Sequence, residues 1–179
     1  SELALANCQD LLKILKWNEQ NNIRFFRISS DIFPWASEYN LSELPDFDDI
    51  CGALQDAGDF IEEHGHRITS HPGPFNKLTS PKEKVVQNTI RDLSIHGELF
   101  DMLGLSRTPY NKLNIHVGAH YNDRQMALSN FCRNFERLPE SVRTRLTVEN
   151  DDKASLYSTK ELYDEVYKRI GIPIVHDVH

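Results

Sequence analysis

Two histidines, a glutamate and an aspartate each stand at the end of a short run of strand-forming residues. Arg67-Ile68-Thr69-Ser70 ends on His71, Leu113-Asn114-Ile115 on His116, Leu146-Thr147-Val148 on Glu149, and Pro173-Ile174-Val175-His176 on Asp177. Imidazole nitrogens and carboxylate oxygens are ligands for divalent cations. Delivered to one place by four separate strands, they would build a polynuclear metal site.

Such convergence requires parallel strands, and the segments between the four runs read as helices. Residues 3–21 carry Leu5, Cys8, Leu12 and Leu15 at helical spacing and stop at Asn21-Asn22; a first strand follows from Ile23 to Ile28. A helix is expected from about Asp48 to His64, with Ile50, Leu54, Ala57 and Ile61 on one face and Gly65 as its cap. Ser80-Pro81-Lys82-Glu83 has the pattern of a capping box opening a third helix, which Gly104 ends. A fourth helix runs from near Asp123 to Pro139, and a fifth from Ser158, with Glu161 at its third position, to Gly171.

The order αβαβαβαβαβ predicts an α/β fold with a parallel sheet, either open and doubly wound or closed into a barrel. The ligand pattern selects the barrel. Neighbouring strands lie about 4.8 Å apart, so the outer two of five in a flat sheet stand about 19 Å from each other, too far to share a metal cluster. Rolling the sheet brings the strand ends together at a TIM-barrel mouth. Alternation agrees: Thr69, Asn114 and Thr147 precede three of the ligands by two residues, while Ile68, Ile115, Val148 and Ile174 fill the opposite face.

At 179 residues and 39% hydrophobic, the chain has the material for one domain, taken as 1–179. No apolar run approaches the roughly 18–20 residues of a membrane span, so no membrane partner is expected. Cys8, Cys51 and Cys132 are scattered without metal-binding spacing, which suits a reducing compartment and small residues on buried helix faces. A net charge of −7 does not mark a nucleic-acid binder, although bound cations would offset several carboxylates locally.

His71-Pro72-Gly73, His116-Val117-Gly118 and Glu149-Asn150-Asp151, in that order on successive strands, resemble the UV damage endonuclease family. Leu11-Leu12-Lys13-Ile14-Leu15, Phe26-Arg27-Ile28-Ser29-Ser30 and Pro34-Trp35-Ala36-Ser37 extend the resemblance over nearly the whole chain. It implies a (β/α)8 TIM barrel of which this chain covers roughly strands two to six, with another strand before and two after. It also implies two or three divalent ions, typically manganese, with magnesium, iron or zinc as alternatives. The activity implied is metal-dependent nicking of damaged double-stranded DNA immediately 5′ to UV photoproducts, by phosphodiester hydrolysis. Such a protein would be intracellular, nuclear in a eukaryote and cytoplasmic in a prokaryote.

Carried over by position, the ligands would be Glu38, His71, His116, Glu149 and Asp177, and the DNA contacts Pro74, Phe75, Lys77 and Tyr121. Several of these depart from the family pattern. Glu38 stands where a histidine is usual, Pro74 replaces a glutamine ahead of the aromatic Phe75, and Ala119 and Asn122 replace glycines. The resemblance places a further histidine ligand just beyond His179. Two other functions compete: a xylose-isomerase-like, metal-dependent sugar isomerase or epimerase, and a non-catalytic remnant that binds DNA or metal. Of the remaining histidines, His64 reads as a helix-dipole partner, His66 as lying at the opposite end of its strand, His96 as a helix-surface residue, and His120 as a loop residue.

Overall fold

The computed structural model describes residues 1–153 and 155–178. Helix α1 (Glu2–Gln20) buries Ala4, Cys8, Leu11 and Leu15. It ends at Asn22 (φ 58°), where the Ile23 amide donates back to the Asn18 carbonyl. That use of the Ile23 amide postpones the first strand, so β1 is Phe25–Ile28 rather than the six residues expected. Helix α2 (Phe47–His64) ends on Gly65 in the left-handed region, at φ 67°.

Strands β2 (Arg67–Ser70), β3 (Leu113–His116), β4 (Leu146–Glu149) and β5 (Ile174–Val175) join β1 in one parallel sheet, ordered β1-β2-β3-β4-β5. A doubly wound sheet reverses direction at a switch point. Here every crossover steps one strand the same way, so right-handed connections put all the helices on a single face. Ile28, Ile68, Ile115 and Val148 are buried on that face, and the other carries Thr69, Asn114, Thr147 and Glu149. This is the arc of a barrel.

Two helical expectations are corrected. Helix α3 is Glu83–Met102, and Ser80 does not cap it. The Ser80 hydroxyl instead accepts from the Lys82 amide, while Glu83 is drawn away by Arg137, whose guanidinium donates to both of its oxygens. Helix α4 (Arg124–Phe135) does open on Asp123, which accepts from the Met126 amide, but it stops four residues before Pro139, and a separate turn α5 (Glu140–Arg143) follows. The Ser158 capping box is present at the start of α6 (Thr159–Leu162), which widens into a π-helical turn at Tyr163–Tyr167 before α7 (Lys168–Ile170).

His96 is corrected as well: it is buried at 3% exposure beneath α3, with Nδ1 3.5 Å from the Ser70 hydroxyl on the helix-facing side of β2. The two glycines inside α2 differ in the same way, by what lies beside them. A Cβ on Gly58 would sit 2.3 Å from the Leu103 carbonyl oxygen after α3, whereas one on Gly52 meets nothing within 4 Å. Their substitutions should therefore have opposite signs. In urea unfolding, Gly52→Ala should gain about 0.5–1 kcal/mol from helix propensity, and Gly58→Ala should lose about 1–3 kcal/mol from overpacking.

Candidate metal centre

The helix-free face ends in a cluster that three strands assemble. His71 Nε2 lies 2.6 Å from Glu149 Oε1 and His116 Nε2 lies 3.0 Å from the same oxygen. One ligand atom from each of the three residues falls within 4.8 Å of the other two. The rings of His71 and His116 are tilted against each other with centroids 5.4 Å apart. Strand pairing explains the meeting, since His116 and Glu149 are register partners and His71 follows the residue that pairs with Leu113.

The second Glu149 oxygen is committed elsewhere. Asn114 Nδ2 donates to Oε2 at 2.5 Å, and the Thr147 hydroxyl donates to Asn114 Oδ1 at 2.7 Å. The Glu149 side chain keeps only 12% of its surface exposed. Burial pushes its carboxyl up, but hydrogen bonds from His71 and Asn114 and the charge of both imidazoles outweigh burial and hold it below the usual range. Glu149 is thus an anion with one oxygen anchored and one aimed between two imidazoles.

That arrangement fits a divalent cation. Two nitrogen donors and one carboxylate oxygen suit manganese, iron or zinc better than calcium. An ion would take the place of the His71–Glu149 proton, while Asn114 would keep hold of the other carboxylate oxygen.

Asp177 and Glu38 lie outside this three-residue group. Asp177 follows the two-residue strand β5, is exposed, and shares a cavity of about 320 Å³ with Arg27, His71, Asn114 and Glu149. Its backbone is clasped by Asn150, which accepts from the Asp177 amide at 2.8 Å and donates to its carbonyl at 3.0 Å. Glu38 is exposed at the end of the 3-10 turn Ala36–Glu38, where its carboxylate accepts from the Ser37 hydroxyl at 3.4 Å. His176 is turned to the Thr159 hydroxyl, 2.8 Å away, and His179 lies outside the described residues.

Of the positions read as DNA contacts, Pro74 and Lys77 border this centre. A second cavity of about 340 Å³ is lined by His71, Pro74, Lys77, His116, Asp151 and Lys153. Phe75 stands out at 89% exposure, and Tyr121 is exposed with a left-handed φ of 50°. Gly118, at φ 99°, lies under the Lys77 side chain: a Cβ there would come within 3.1 Å of the lysine stem. His120 Nδ1 accepts from the Asn122 amide and stays within its loop.

Asp151 is the residue that sequence reasoning passed over. Its Oδ1 is 3.4 Å from His116 Nδ1, on the far side of the ring from Glu149, and burial pushes its carboxyl up. The signal was available. Asp151 follows Glu149 by two residues, as Thr147 precedes it by two, so a strand face extended past its end reaches it.

Known proteins resemble the chain along nearly its whole length. UV-damage endonuclease of Neurospora crassa is 40% identical, with 99% of this chain and 27% of that protein covered. UV DNA damage endonuclease of Clostridium perfringens is 36% identical, with 96% of this chain and 40% of that protein covered. The chain therefore spans well under half the length of these relatives. The crystal structure of SacUVDE superposes with a TM-score of 0.88 at 38% identity, covering 98% of this chain and 58% of that one, and its likeness makes the five-stranded sheet part of a TIM-barrel-type α/β fold. With the model of the family described as UV-endonuclease UvdE matching residues 1–179, the chain belongs to that family.

Proposed function

We propose that this chain forms one wall of a metal-dependent endonuclease that nicks double-stranded DNA immediately 5′ to UV photoproducts. The observation that carries the reading is the convergence of His71, His116 and Glu149 within 4.8 Å at the strand ends. We infer that these three hold divalent ions, two or three in the assembled site and manganese foremost, with Asp177 and Glu38 approaching from the rim. When bound, such ions supply Lewis acidity toward a phosphate oxygen. The chain itself anchors Glu149 through Asn114, sets the two imidazoles on one oxygen, and keeps the carboxylate nearly free of water.

The duplex would lie across the strand ends. Lys77, beside the cluster, would meet a backbone phosphate, and exposed Phe75 and Tyr121 would stack on or wedge between bases. Pro74 offers a rigid apolar surface and no side-chain hydrogen bond. No helix among the described residues is long and apolar enough to cross a membrane. A DNA substrate places the protein in the nucleus of a eukaryote or the cytoplasm of a prokaryote.

Incubating the manganese-loaded chain with UV-irradiated and undamaged duplex tests this directly. A nick confined to the irradiated strand, one phosphate from the lesion, supports the reading. Damage-selective binding without any nick would replace it with a non-catalytic role, and turnover of an aldose without nicking would replace it with isomerase chemistry.

Metal removal and substitution should act through the same residues. Loss of an outer partner of a metal ligand costs about 10–100-fold in affinity, so His71→Ala, His116→Ala and Glu149→Gln should each exceed about 100-fold for Mn²⁺ by calorimetry. A change of less than tenfold at all three would remove the metal centre from consideration. On the DNA side, Lys77→Ala should weaken binding to any duplex alike and lower the slope of log affinity against log salt by about one. An unchanged slope would take Lys77 off the phosphate path.

A further inference from the structure

We propose that Asp151 is the positioning residue of the metal centre: its carboxylate faces the buried Nδ1 of His116, holds the ring's proton there and so leaves Nε2 as the nitrogen that yields its proton to a cation beside His71 and Glu149. The inference rests on the metal-site reading above and adds a residue to it.

Two orphaned atoms carry the argument. Among the described residues, His116 Nδ1 and Asp151 Oδ2 are both shut off from solvent, and neither has a hydrogen-bond partner. They belong to side chains in contact, with Nδ1 3.4 Å from the other Asp151 oxygen. Leaving a buried donor and a buried acceptor unmatched costs about 1–3 kcal/mol each, and a small rotation of either side chain would match them.

The consequence follows from imidazole chemistry. A neutral ring carries one N–H and one lone pair, and the nitrogen with the lone pair is the one that can bind a cation. Water does not reach Nδ1, and the nearest group with a lone pair to offer it is a carboxylate, which accepts and cannot donate when ionised. Nδ1 therefore keeps its proton, and Nε2, 3.0 Å from Glu149, is the nitrogen whose proton a cation in the cluster would displace. A carboxylate behind a metal-binding imidazole also raises its basicity as a ligand.

Asp151 is itself held for this role. Its amide donates to the Tyr157 carbonyl at 3.1 Å, closing the loop of residues 151–157, and Tyr157 is buried at 1% exposure beneath the Arg124 guanidinium. The backbone is thereby fixed independently of the carboxylate, so a side-chain substitution leaves the loop closure in place.

The test reads where the ring keeps its proton when a diamagnetic cation, Zn²⁺, fills the cluster. Long-range ¹H–¹⁵N correlation spectra of the Zn²⁺-loaded, ¹⁵N-labelled chain, with His116 assigned by its loss in His116→Asn, should show the proton on Nδ1 and none on Nε2. In Asp151→Ala the proton should move to Nε2, and Mn²⁺ affinity by calorimetry should fall about 10–100-fold. Asp151→Asn, whose amide oxygen still accepts, should keep the wild-type tautomer and lose less affinity. A wild-type ring protonated on Nε2 overturns the proposal. So does an Asp151→Ala chain that keeps the Nδ1 proton or binds Mn²⁺ within about threefold of wild type. Should Asp151→Ala fail to fold, the wild-type spectrum and Asp151→Asn decide. Absence of Mn²⁺ and Zn²⁺ binding by the wild-type chain would defeat the proposed endonuclease site itself, whereas binding with the His116 proton on Nε2 would defeat only the role of Asp151.

Discussion

A carboxylate drawn out of water is tolerable only when its lone pairs are filled, and Glu149 imposes that demand on the whole inner face of this sheet. An unpaired buried charge costs several kcal/mol. Three different strands answer the demand: His71 follows β2, Asn114 and His116 come from β3, and Glu149 ends β4. Thr147 completes the chain by holding the amide of Asn114 in the orientation that donates to Glu149. The strands are consequently bound to one another by side chains where the backbone ladder is thin, as between β2 and β3, which share a single register pair.

The opposite end of the sheet is knit by a different device. Arg145, immediately before β4, is fully buried and donates to the carbonyls of Gly97, Leu105, Ser106 and Ser141 and to Asp101. It gathers the ends of α3 and α5 and the loop between α3 and β3 under one guanidinium, with the Phe100 ring 5.7 Å away. A planar fork of five donors is suited to such a junction. The buried guanidinium thus sits at the strand starts and the candidate ligand cluster at the strand ends, the division typical of barrels.

Which parts were legible in the residues follows from how local each signal is. Helical spacing in α1 and α2, the cap at Gly65 and the Ser158–Glu161 box depend on neighbours in the chain, and all are present. The polar row Thr69, Asn114 and Thr147 was readable from alternation alone. Signals that compete with distant partners were not. Ser80 lost its cap because Arg137, more than fifty residues away, takes Glu83. His96 is a different case: it falls three residues after Leu93 and four before Phe100, both buried, so helical spacing puts it on the inward face of α3 against Ser70, and its polarity alone suggested the surface. At the site, strand endings identified His71, His116 and Glu149, but the trajectory after a strand as short as β5 is set by Asn150 and leaves no periodic trace.

The run Glu149-Asn150-Asp151 sends three consecutive side chains in three directions. The first points to the two imidazoles, the second to the backbone of Asp177, and the third to the reverse side of His116. Insertion or deletion of one codon within this triplet would exchange all three addresses at once, because successive strand residues face opposite ways. Length variation among relatives should therefore accumulate after position 151 and spare the triplet, even where individual residues drift.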